Sequence, residues 1–400
     1  MRLWEEIEVA QKTIRGAIRQ TPTVYSDTFS KLTGTEVFLK LENLQKSGSF
    51  KIRGAYYKLT QLSPLERKRG IAAASAGNHA QGVAFASSLL GVKATIVMPE
   101  GASLAKQMAT RSYGGEVLLL GQDTDEALGY AKKLAEDGKS FIHPFDDEGV
   151  IAGQGTIGLE ILDEVPGVDA IIVPVGGGGL ISGIATIVKR KRPRVKIIGV
   201  QSARVPSAFL SLKRKRIIEV KGEPTLADGI AIRRVGEITF PIIQKVVDEI
   251  VTVQEHEIAS SILMLMERKR VVAEGAGAAP LAALLSRRWK IRTKKIVLVI
   301  SGGNIDVNLL DRIIEKGLLA TGRIVRFEVL LRDMPGSLAK LSDLIAQSHA
   351  NILHIIHERT AKDIPIGFSK VILVLETRDP DHIKEVRNGL REKGYSPRTL

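Results

Sequence analysis

The residue whose setting most suggests chemistry is Lys51, in the sequence GSFKIRG at 48–54. It follows an apolar, strand-like segment at 37–41 and has small residues around it. Because burial lowers the pKa of a lysine, a desolvated lysine is available as the free amine that attacks a carbonyl. Lys51 is therefore a candidate for a lysine that forms a Schiff base. An ordinary solvated lysine at the start of a helix is the alternative.

A second candidate site is a loop of four glycines that continues into an apolar residue: Gly176, Gly177, Gly178, Gly179 and Leu180. A glycine loop between a strand and a helix exposes backbone N–H groups that can bind a phosphate. No register of this loop matches G-x-G-x-x-G, and no P-loop lysine follows it. The loop therefore suits a compact monophosphate better than a dinucleotide. A tight turn without a ligand is the alternative.

Two further loops supply the other candidate residues: Ser75, Gly77, Asn78 and His79 from SAGNHAQG at 75–82, and Ser301 from SGGN at 301–304. A phosphate site and a buried lysine are what pyridoxal phosphate requires, one for its phosphate and the other for its aldehyde. Asn78 can then donate to the cofactor's phenolic oxygen, and the N–H groups around Ser75 to His79 can receive a substrate carboxylate. A neutral Ser301 at the ring nitrogen weakens the electron sink, which favours β-elimination over transamination. Taken singly, each residue also has a structural interpretation as a cap or a satisfied side chain.

The pattern of apolar runs predicts the elements that position these loops. Short continuous apolar runs lie at 71–74, 94–98, 117–120, 170–175, 195–200 and 296–300. Continuous apolar strands between helices are typical of parallel sheets buried on both faces, so the predicted fold class is α/β. Ligands bind such sheets beyond the carboxyl ends of the strands, which is where the glycine-rich loops lie. Residues from about 5 to 20 are expected to form a helix.

The last segment of the chain has a different pattern. Residues 324–331 alternate between apolar and polar like a half-buried strand, and the sequence MPGSL at 334–338 opens a helix. Two more strands, a second helix from 380 to 393 and a possible short final strand follow. The order βαββαβ predicts a small α+β domain at 324–400, with the boundary placed near 317–323.

Composition narrows the class of protein. The chain has 400 residues and no cysteine, which excludes disulfides, thiolate metal sites and a cysteine nucleophile. No stretch approaches the roughly 18 apolar residues of a membrane span, so a cytoplasmic protein without a membrane partner is expected. The net charge is +14, but the basic clusters lack interleaved aromatic residues and any nucleic-acid motif. They are interpreted as solvated faces, and no nucleic-acid partner is predicted.

Taken together, these motifs resemble a known family. The sequences SFKIRGA at 49–55, SAGNHAQG at 75–82, the tetraglycine loop and SGGN at 301–304 resemble the fold type II pyridoxal-phosphate enzymes, and more narrowly the threonine dehydratases (threonine ammonia-lyases). Supporting matches are GQGTIGLE at 153–160, GVQS at 199–202, TLADG at 225–229 and EGAGA at 274–278. The resemblance covers about residues 1–316, and residues 324–400 resemble a regulatory ACT domain.

The resemblance implies a fold with two open, mostly parallel sheets with helices on both faces. It places a large subdomain at about 1–50 and 153–316, a small subdomain at about 51–152, a linker at 317–323 and the ACT-like domain at 324–400. The implied cofactor-binding residues are Phe50, Lys51, Asn78, Gly176 to Leu180 and Ser301, and the implied substrate-binding residues are Ser75, Gly77, Asn78 and His79.

The implied reaction is α,β-elimination, with Lys51 as the catalytic base. Threonine gives 2-oxobutanoate and ammonia, and serine gives pyruvate in the same way. The ACT-like domain implies an amino-acid effector, with isoleucine or valine as candidates, and the family implies a homodimer or homotetramer. Alternatives within the fold are a serine-preferring dehydratase, a racemase and a β-replacement enzyme such as a cysteine or threonine synthase. A non-catalytic amino-acid sensor is the alternative from another class.

Two departures from related serine racemases bear on these alternatives. Ala76 stands where the racemases carry a serine acid on the opposite face of the cofactor, so racemisation is expected to be weak. Gln201 and Ser207 stand where the same relatives bind a divalent cation through an acidic pair. No tight divalent metal site is therefore expected.

Overall fold

The computed structural model describes residues 2–287 and 293–400. The chain divides into two compact units, Met1–Asp306 and Val307–Leu400. Within the described residues, none of the helices combines the length and the apolar character that a membrane span requires.

The first unit contains ten strands and thirteen α-helices among its described residues. The strands are β1 (Thr23–Tyr25), β2 (Glu36–Leu41), β3 (Ile71–Ala74), β4 (Ala94–Met98), β5 (Glu116–Leu119), β6 (Ser140–Phe141), β7 (Ala170–Pro174), β8 (Lys196–Ser202), β9 (Glu249–Val253) and β10 (Lys295–Ile300). The helices are α1 (Leu3–Ile14), α2 (Asp27–Thr33), α3 (Lys51–Thr60), α4 (Pro64–Arg69), α5 (Asn78–Leu89), α6 (Leu104–Ser112), α7 (Thr124–Glu136), α8 (Glu148–Glu164), α9 (Gly179–Lys191), α10 (Ser207–Arg214), α11 (Thr239–Val246), α12 (Glu255–Lys269) and α13 (Gly275–Ser286).

The larger sheet of this unit has six strands in the order β1-β2-β10-β7-β8-β9. Only the edge pair β1–β2 is antiparallel, and the other neighbours are parallel. The side chains of β7 are all buried, as expected for a strand covered on both faces. Because β2, β10 and β7 are adjacent and parallel, the segments that follow them emerge at the same edge of the sheet. Those segments carry Lys51, Ser301 and the tetraglycine loop.

The smaller sheet has four parallel strands in the order β5-β4-β3-β6. Its buried strands β3 and β4 explain the continuous apolar runs at 71–74 and 94–98. The loop at 75–77 follows β3, and the segment at 142–147 follows the neighbouring β6. These two segments therefore emerge side by side.

The predicted α/β class is confirmed, although some element boundaries differ from those expected. The N-terminal helix ends at Ile14 rather than near residue 20, because Gly16 adopts a positive φ of 84° that a helix cannot accommodate. The edge strand β1 and the strand β9 were not predicted. Their short runs give too little pattern to separate a strand from a loop.

The second unit contains α14 (Val307–Ala320), β11 (Ile324–Arg332), α15 (Ser337–Gln347), β12 (Asn351–Glu358), β13 (Phe368–Glu376), α16 (Pro380–Glu392) and β14 (Arg398–Thr399). Its antiparallel sheet has the order β12-β13-β11-β14. The alternating apolar residues of β11 are buried against α15 and α16, which confirms the βαββαβ order predicted for 324–400. Residues 317–320 of the segment predicted as a linker lie in α14.

Candidate active site

Lys51 is the first residue of α3 and follows a β-bridge between Ser49 and Gly302, just beyond the carboxyl end of β10. Its Nζ donates a hydrogen bond to the carbonyl oxygen of Pro144 at 2.8 Å and lies 5.3 Å from the centre of the Phe50 ring. Burial lowers the pKa of Lys51 to about 8, although the negative charge of Glu274 acts in the opposite direction. About a tenth of this side chain is therefore the free amine at pH 7, far more than for a solvated lysine.

Ser301 lies at the end of β10, directly beside the segment that carries Lys51. The backbone N–H of Phe50 donates to the carbonyl oxygen of Ser301 at 3.0 Å, and Ser49 forms a β-bridge with Gly302. Ser301 is 2% exposed. The hydroxyl of Ser49 is buried and has no hydrogen-bond partner within the part of the chain that the structure describes. A buried polar atom without a partner is a candidate contact for a ligand.

The glycine loop joins β7 to α9 and is surrounded closely by other chain segments. Gly178 has a φ of 102°, a conformation that favours glycine. A Cβ added to Gly177 would lie 2.3 Å from the ring of Phe145, so that position also requires glycine. Thr239 donates from its hydroxyl to the carbonyl oxygen of Gly177 at 2.7 Å. Within the described residues, the backbone N–H groups of Gly177 to Leu180 have no hydrogen-bond acceptor.

The loop after β3 places its predicted residues in different roles. The N–H of Gly77 donates to the hydroxyl of Ser75 at 3.1 Å, and the next residue begins α5. The imidazole of His79 is turned away into the protein, where Nε2 lies 2.9 Å from the carbonyl oxygen of Ile142. Burial, and secondarily the charge of Lys51, lowers the pKa of His79 to about 3, so the ring is neutral. His79 thus offers its backbone N–H, rather than its ring, to the loop.

Asn78 forms a pair with Glu274, a residue not predicted to belong to the site. The Asn78 Nδ2 atom lies 2.8 Å from both carboxylate oxygens of Glu274, and its Oδ1 accepts a hydrogen bond from Asn304 at 2.8 Å. Burial is the main reason that the pKa of Glu274 rises to about 7, and the nearby charge of Asp228 adds to it. A glutamate alone within the apolar, small-residue run at 271–286 was the sequence signal that could have identified it.

The segment from His143 to Asp146 was also missed, and it links Lys51 to the glycine loop. Pro144 accepts the hydrogen bond from Lys51, and Phe145 packs against the glycine loop. His143 Nδ1 accepts hydrogen bonds from the N–H groups of Phe145 and Asp146 at 3.2 and 2.7 Å. Burial lowers the pKa of His143 to about 4, which suits an acceptor nitrogen. The strand that precedes this segment, β6, has only two residues and was not predicted, so the strand-end rule did not identify the segment.

Asp146 anchors this segment to α11. Its carboxylate accepts hydrogen bonds from the N–H groups of Glu237, Ile238 and Thr239 at 3.0, 2.9 and 3.1 Å. A carboxylate at a helix N-terminus satisfies donors that have no partner within the helix. The same Thr239 contacts the glycine loop, so Asp146 indirectly supports the geometry of that loop.

Gln201 and Ser207 lie next to each other, with Gln201 Nε2 3.4 Å from the Ser207 hydroxyl. The N–H of Phe209 donates to Gln201 Oε1 at 2.9 Å. Within 2–287 and 293–400, no three acidic, histidine or cysteine side chains are grouped as metal ligands. The absence of a tight divalent site stays a prediction.

The residues present fit a phosphorylated carbonyl cofactor. The free N–H groups of Gly177 to Leu180 can bind a phosphate, and the buried amine of Lys51 can react with an aldehyde. Both features lie on segments that follow strands of the same sheet, β2 and β7, which flank β10. The contacts of Pro144 with Lys51 and of Phe145 with the glycine loop join the two segments.

Comparison with known proteins agrees with this fit. Residues 14–302, more than half of the chain, match the family model described as pyridoxal-phosphate dependent enzyme. The chain belongs to the pyridoxal-phosphate-dependent enzyme family. Residues 325–392 match the model of the ACT domain. The family resemblance noted in the sequence and the predicted cofactor are thereby confirmed.

Individual members of the pyridoxal-phosphate-dependent family are similar over nearly the whole chain. An L-threonine ammonia-lyase of Thermotoga maritima is 52% identical over 397 residues, which cover 99% of each chain. An L-threonine ammonia-lyase of Geobacter sulfurreducens is 50% identical over 390 residues, or 97% of each chain. The processed form of threonine deaminase isoform 2 from Solanum lycopersicum aligns with a TM-score of 0.75 at 39% identity, covering 78% of this chain and 92% of that one.

Proposed function

We propose that the chain is an L-threonine ammonia-lyase that converts L-threonine to 2-oxobutanoate and ammonia and accepts L-serine as a second substrate. The observation that carries the proposal is a desolvated amine, Lys51, next to a glycine loop with free N–H groups. The choice of threonine is supported by relatives of that name at 52 and 50% identity.

When bound, pyridoxal phosphate supplies an electron sink for the charge that develops as the α-proton of the amino acid leaves. We propose that the N–H groups of Gly177 to Leu180 hold its phosphate, and that Phe50, Asn78 and Ser301 border its ring. Lys51, once free, removes the α-proton, and its pKa of about 8 suits a base near neutral pH.

The loop at Ser75, Gly77, Asn78 and His79 is proposed to receive the substrate carboxylate through its backbone N–H groups. Two of these residues, Asn78 and His79, open α5, where N–H groups have no partner within the helix. Ala76 in the same loop has no proton to donate, which supports elimination over racemisation. The β-hydroxyl leaves as water, and the enamine product hydrolyses to the keto acid and ammonia.

The experiment that tests this function is keto-acid formation from L-threonine and L-serine, compared between wild type and Lys51→Ala. We expect turnover of both substrates by wild type and a loss of at least about a thousandfold in Lys51→Ala, since one amine both binds the cofactor and moves the proton. Lys51→Arg is the matched control that keeps a cation without a free amine. Turnover by Lys51→Ala within tenfold of wild type would contradict the proposed catalytic role of Lys51. Cofactor binding without keto-acid formation would favour a racemase or a β-replacement enzyme. A protein that does not bind the cofactor would favour the alternative of a non-catalytic amino-acid sensor.

We further propose that an apolar amino acid binds the second unit. A cavity of about 330 Å³ lies there, lined by residues 331–338 together with His357, Arg359 and Ser369. The cavity is lined by the carboxylate of Asp333, which pairs with Arg359 at 2.9 Å, by the N-terminus of α15 and by the apolar side chains of Met334 and Leu338. These groups complement an ammonium, a carboxylate and an apolar side chain, respectively.

The effector proposal is tested by calorimetric titration with isoleucine and with valine, together with threonine kinetics. We expect Asp333→Asn to weaken binding by about tenfold, because a charged hydrogen bond to the ammonium is lost. Asp343→Asn, on the same unit but outside the lining of the cavity, is the control. Titrations that give no heat of binding, together with unchanged threonine kinetics, would exclude isoleucine and valine as effectors.

Assembly as a homodimer or homotetramer is proposed as well. The strand β12 lies at the edge of its sheet, where one side of its backbone is unpaired, and it exposes Leu353, Ile355 and Ile356 to 40, 42 and 56%. An exposed apolar edge strand is a ready surface for a second copy. Light scattering of the purified chain is the measurement, and a monomer mass at micromolar concentration would contradict the proposal. A cytoplasmic location remains a prediction from the sequence.

A further inference from the structure

Glu274 is a buried carboxylate to which the reaction proposed above gives no role. It immediately precedes α13 and is 4% exposed. Within the part of the chain that the structure describes, its side-chain hydrogen bonds join it to Asn78. Burying a carboxylate costs free energy unless its partners compensate. Its position beside a predicted cofactor-binding residue therefore suggests a function.

The direction of the hydrogen bonds around Asn78 is fixed by a backbone carbonyl. Asn304 Nδ2 lies 2.9 Å from the carbonyl oxygen of Ser47, which can only accept, so the nitrogen end of the Asn304 amide is identified. The same nitrogen donates to Asn78 Oδ1 at 2.8 Å. The nitrogen end of the Asn78 amide must then face Glu274. Asn304 thus donates both to Ser47 and to Asn78, and Asn78 donates to Glu274. Asn304, Asn78 and Glu274 therefore form a relay with one hydrogen-bond direction.

The relay crosses from one sheet of the first unit to the other. Asn78 follows β3 of the smaller sheet, whereas Asn304 follows β10 of the larger sheet and Glu274 precedes α13. The backbone N–H of Glu274 donates to the carbonyl oxygen of Gly302 at 3.1 Å, which ties it to the loop of Ser301. The orientation of Asn78 is therefore set by residues of the larger sheet's loops.

Three charged side chains act on Glu274: Asp228, Lys106 and Lys51. Asp228 raises its pKa, while Lys106 and Lys51 lower it, and Lys106 is itself paired with Asp228 at 3.0 Å. Lys51 in turn is affected by the charge of Glu274, which raises its pKa against the effect of burial. His79 and His143 also border Lys51, but both are neutral above about pH 4. Glu274 is thus the one acidic group that acts on Lys51 among the described residues.

We propose that Glu274 is a positioning residue of the proposed ammonia-lyase: it holds the Asn78 amide with its N–H groups directed away from Asn304. This gives Asn78 the orientation that a donor to the cofactor's phenolic oxygen needs. In addition, the negative charge of Glu274 raises the pKa of Lys51 and so retains part of the basicity that burial removes. The inference rests on the proposed function, because both effects are directed at the pyridoxal phosphate site.

The charge effect is tested with Glu274→Gln, in which the amide oxygen still accepts from Asn78 but no charge is present. The measurement is the rate at which cofactor-free protein takes up pyridoxal phosphate, followed by visible absorbance between pH 6 and 10. We expect the midpoint of the pH dependence to move down by about one unit relative to wild type, since an opposing charge near the amine is lost. Equal midpoints in the two proteins would refute the effect of the Glu274 charge on Lys51.

The matched control for this variant is Glu255→Gln. Glu255 also accepts several hydrogen bonds, from Ser202, Thr225 and the N–H of Leu226, but it does not act on the Lys51 charge. This variant is expected to lose stability without moving the midpoint of cofactor uptake. A shift in Glu255→Gln as large as that in Glu274→Gln would show a general effect of loosening the fold and would refute a specific role for Glu274.

The relay is tested with Asn304→Asp, which removes the donor and introduces an acceptor. In either orientation of the Asn78 amide, its oxygen then faces a carboxylate, that of position 304 or that of Glu274, so the relay no longer fixes the orientation. Cofactor affinity should therefore fall by about tenfold or more. Adding Glu274→Gln supplies a donor for an amide whose oxygen faces position 274. We expect the double variant to recover melting temperature but not cofactor affinity, a split that a merely structural role would not produce.

Two results would refute the relay: cofactor affinity within twofold of wild type in Asn304→Asp, or recovery of that affinity in the double variant. All of these measurements are made without an amino-acid substrate. A protein that acts on another amino acid would therefore still show the expected shifts. A wild-type protein that takes up no pyridoxal phosphate would instead overturn the proposed function itself.

Discussion

Replacing Arg53 by methionine should destabilise the first unit strongly, because Arg53 is fully buried between two carboxylates. Its Nε and Nη2 atoms donate to the two oxygens of Glu42, both at 2.8 Å. Its Nη1 and Nη2 atoms donate to the two oxygens of Glu160 at 2.6 and 2.8 Å. Nη1 also donates to the hydroxyl of Thr156 at 3.1 Å. The guanidinium therefore satisfies two buried acids in the bidentate geometry that only arginine provides.

The magnitude follows from what remains after the substitution. Glu160 keeps an ion pair with Lys40 at 2.7 Å, and Glu42 keeps a hydrogen bond from the Thr21 hydroxyl, but neither contact replaces the guanidinium. Removing one partner of a buried ion pair costs about 3–5 kcal/mol. A domain is stable by only about 5–15 kcal/mol, so the loss is a large fraction of the total. Methionine fills a similar length, which limits any added cavity cost.

The assay is equilibrium unfolding in guanidinium chloride, with the free energy of unfolding compared between variants. Arg53→Lys keeps one charge but not the two-pronged geometry, and we expect it to lie between wild type and Arg53→Met. Adding Glu42→Gln and Glu160→Gln to Arg53→Met removes the uncompensated charges and should restore part of the loss. A cost below about 1 kcal/mol for Arg53→Met would refute the reasoning.

Two further predictions concern cofactor binding. Gly177→Ala places a Cβ 2.3 Å from the ring of Phe145, so cofactor affinity, measured by absorbance titration, should fall by about tenfold. Adding Phe145→Ala should recover part of that affinity. An unchanged affinity in Gly177→Ala would contradict the packing argument. In the wild type, the rate of cofactor uptake should rise with pH to a midpoint near 8 and then level off, because burial lowers the pKa of Lys51 to about 8 from 10.5. Between pH 8 and 10.5 the unfolded chain holds the proton that Lys51 has lost in the folded, cofactor-free chain, so the free energy of unfolding should increase with pH. An uptake rate that keeps rising past pH 10 would contradict the assignment of the midpoint to Lys51.

Much of the architecture followed from local patterns. The apolar runs at 71–74, 94–98, 170–175 and 296–300 became buried parallel strands, and the alternation at 324–331 became a half-buried strand of an antiparallel sheet. Lys51 and the glycine loop could be singled out because their composition is unusual in any fold: a lysine among small residues, and four glycines in succession. These signals are contained within a few consecutive residues.

What could not be predicted depends on contacts between distant segments. Glu274 is separated from Asn78 by 196 positions, and Asp146 from Thr239 by 93. The setting of Glu274 in an apolar run is unusual, but the local sequence of neither acid specifies its partner. The N-terminal helix was predicted too long because apolar spacing continues past Ile14, whereas the backbone turns at Gly16. Burial and partner identity, which set the pKa values of the site, come only from tertiary structure.

The ion pairs of Arg53 also bear on how the protein folds. They join α3 to Glu42, 11 positions away, and to Glu160, 107 positions away. The contact with Glu160 forms only when a chain loop of 107 positions has closed, and that closure costs conformational entropy. Lys51 lies two residues from Arg53 at the start of the same helix, so its environment is complete only after that closure. An incompletely folded chain would hold Lys51 as an ordinary protonated lysine, and uptake of the cofactor would mark the chains that have finished folding.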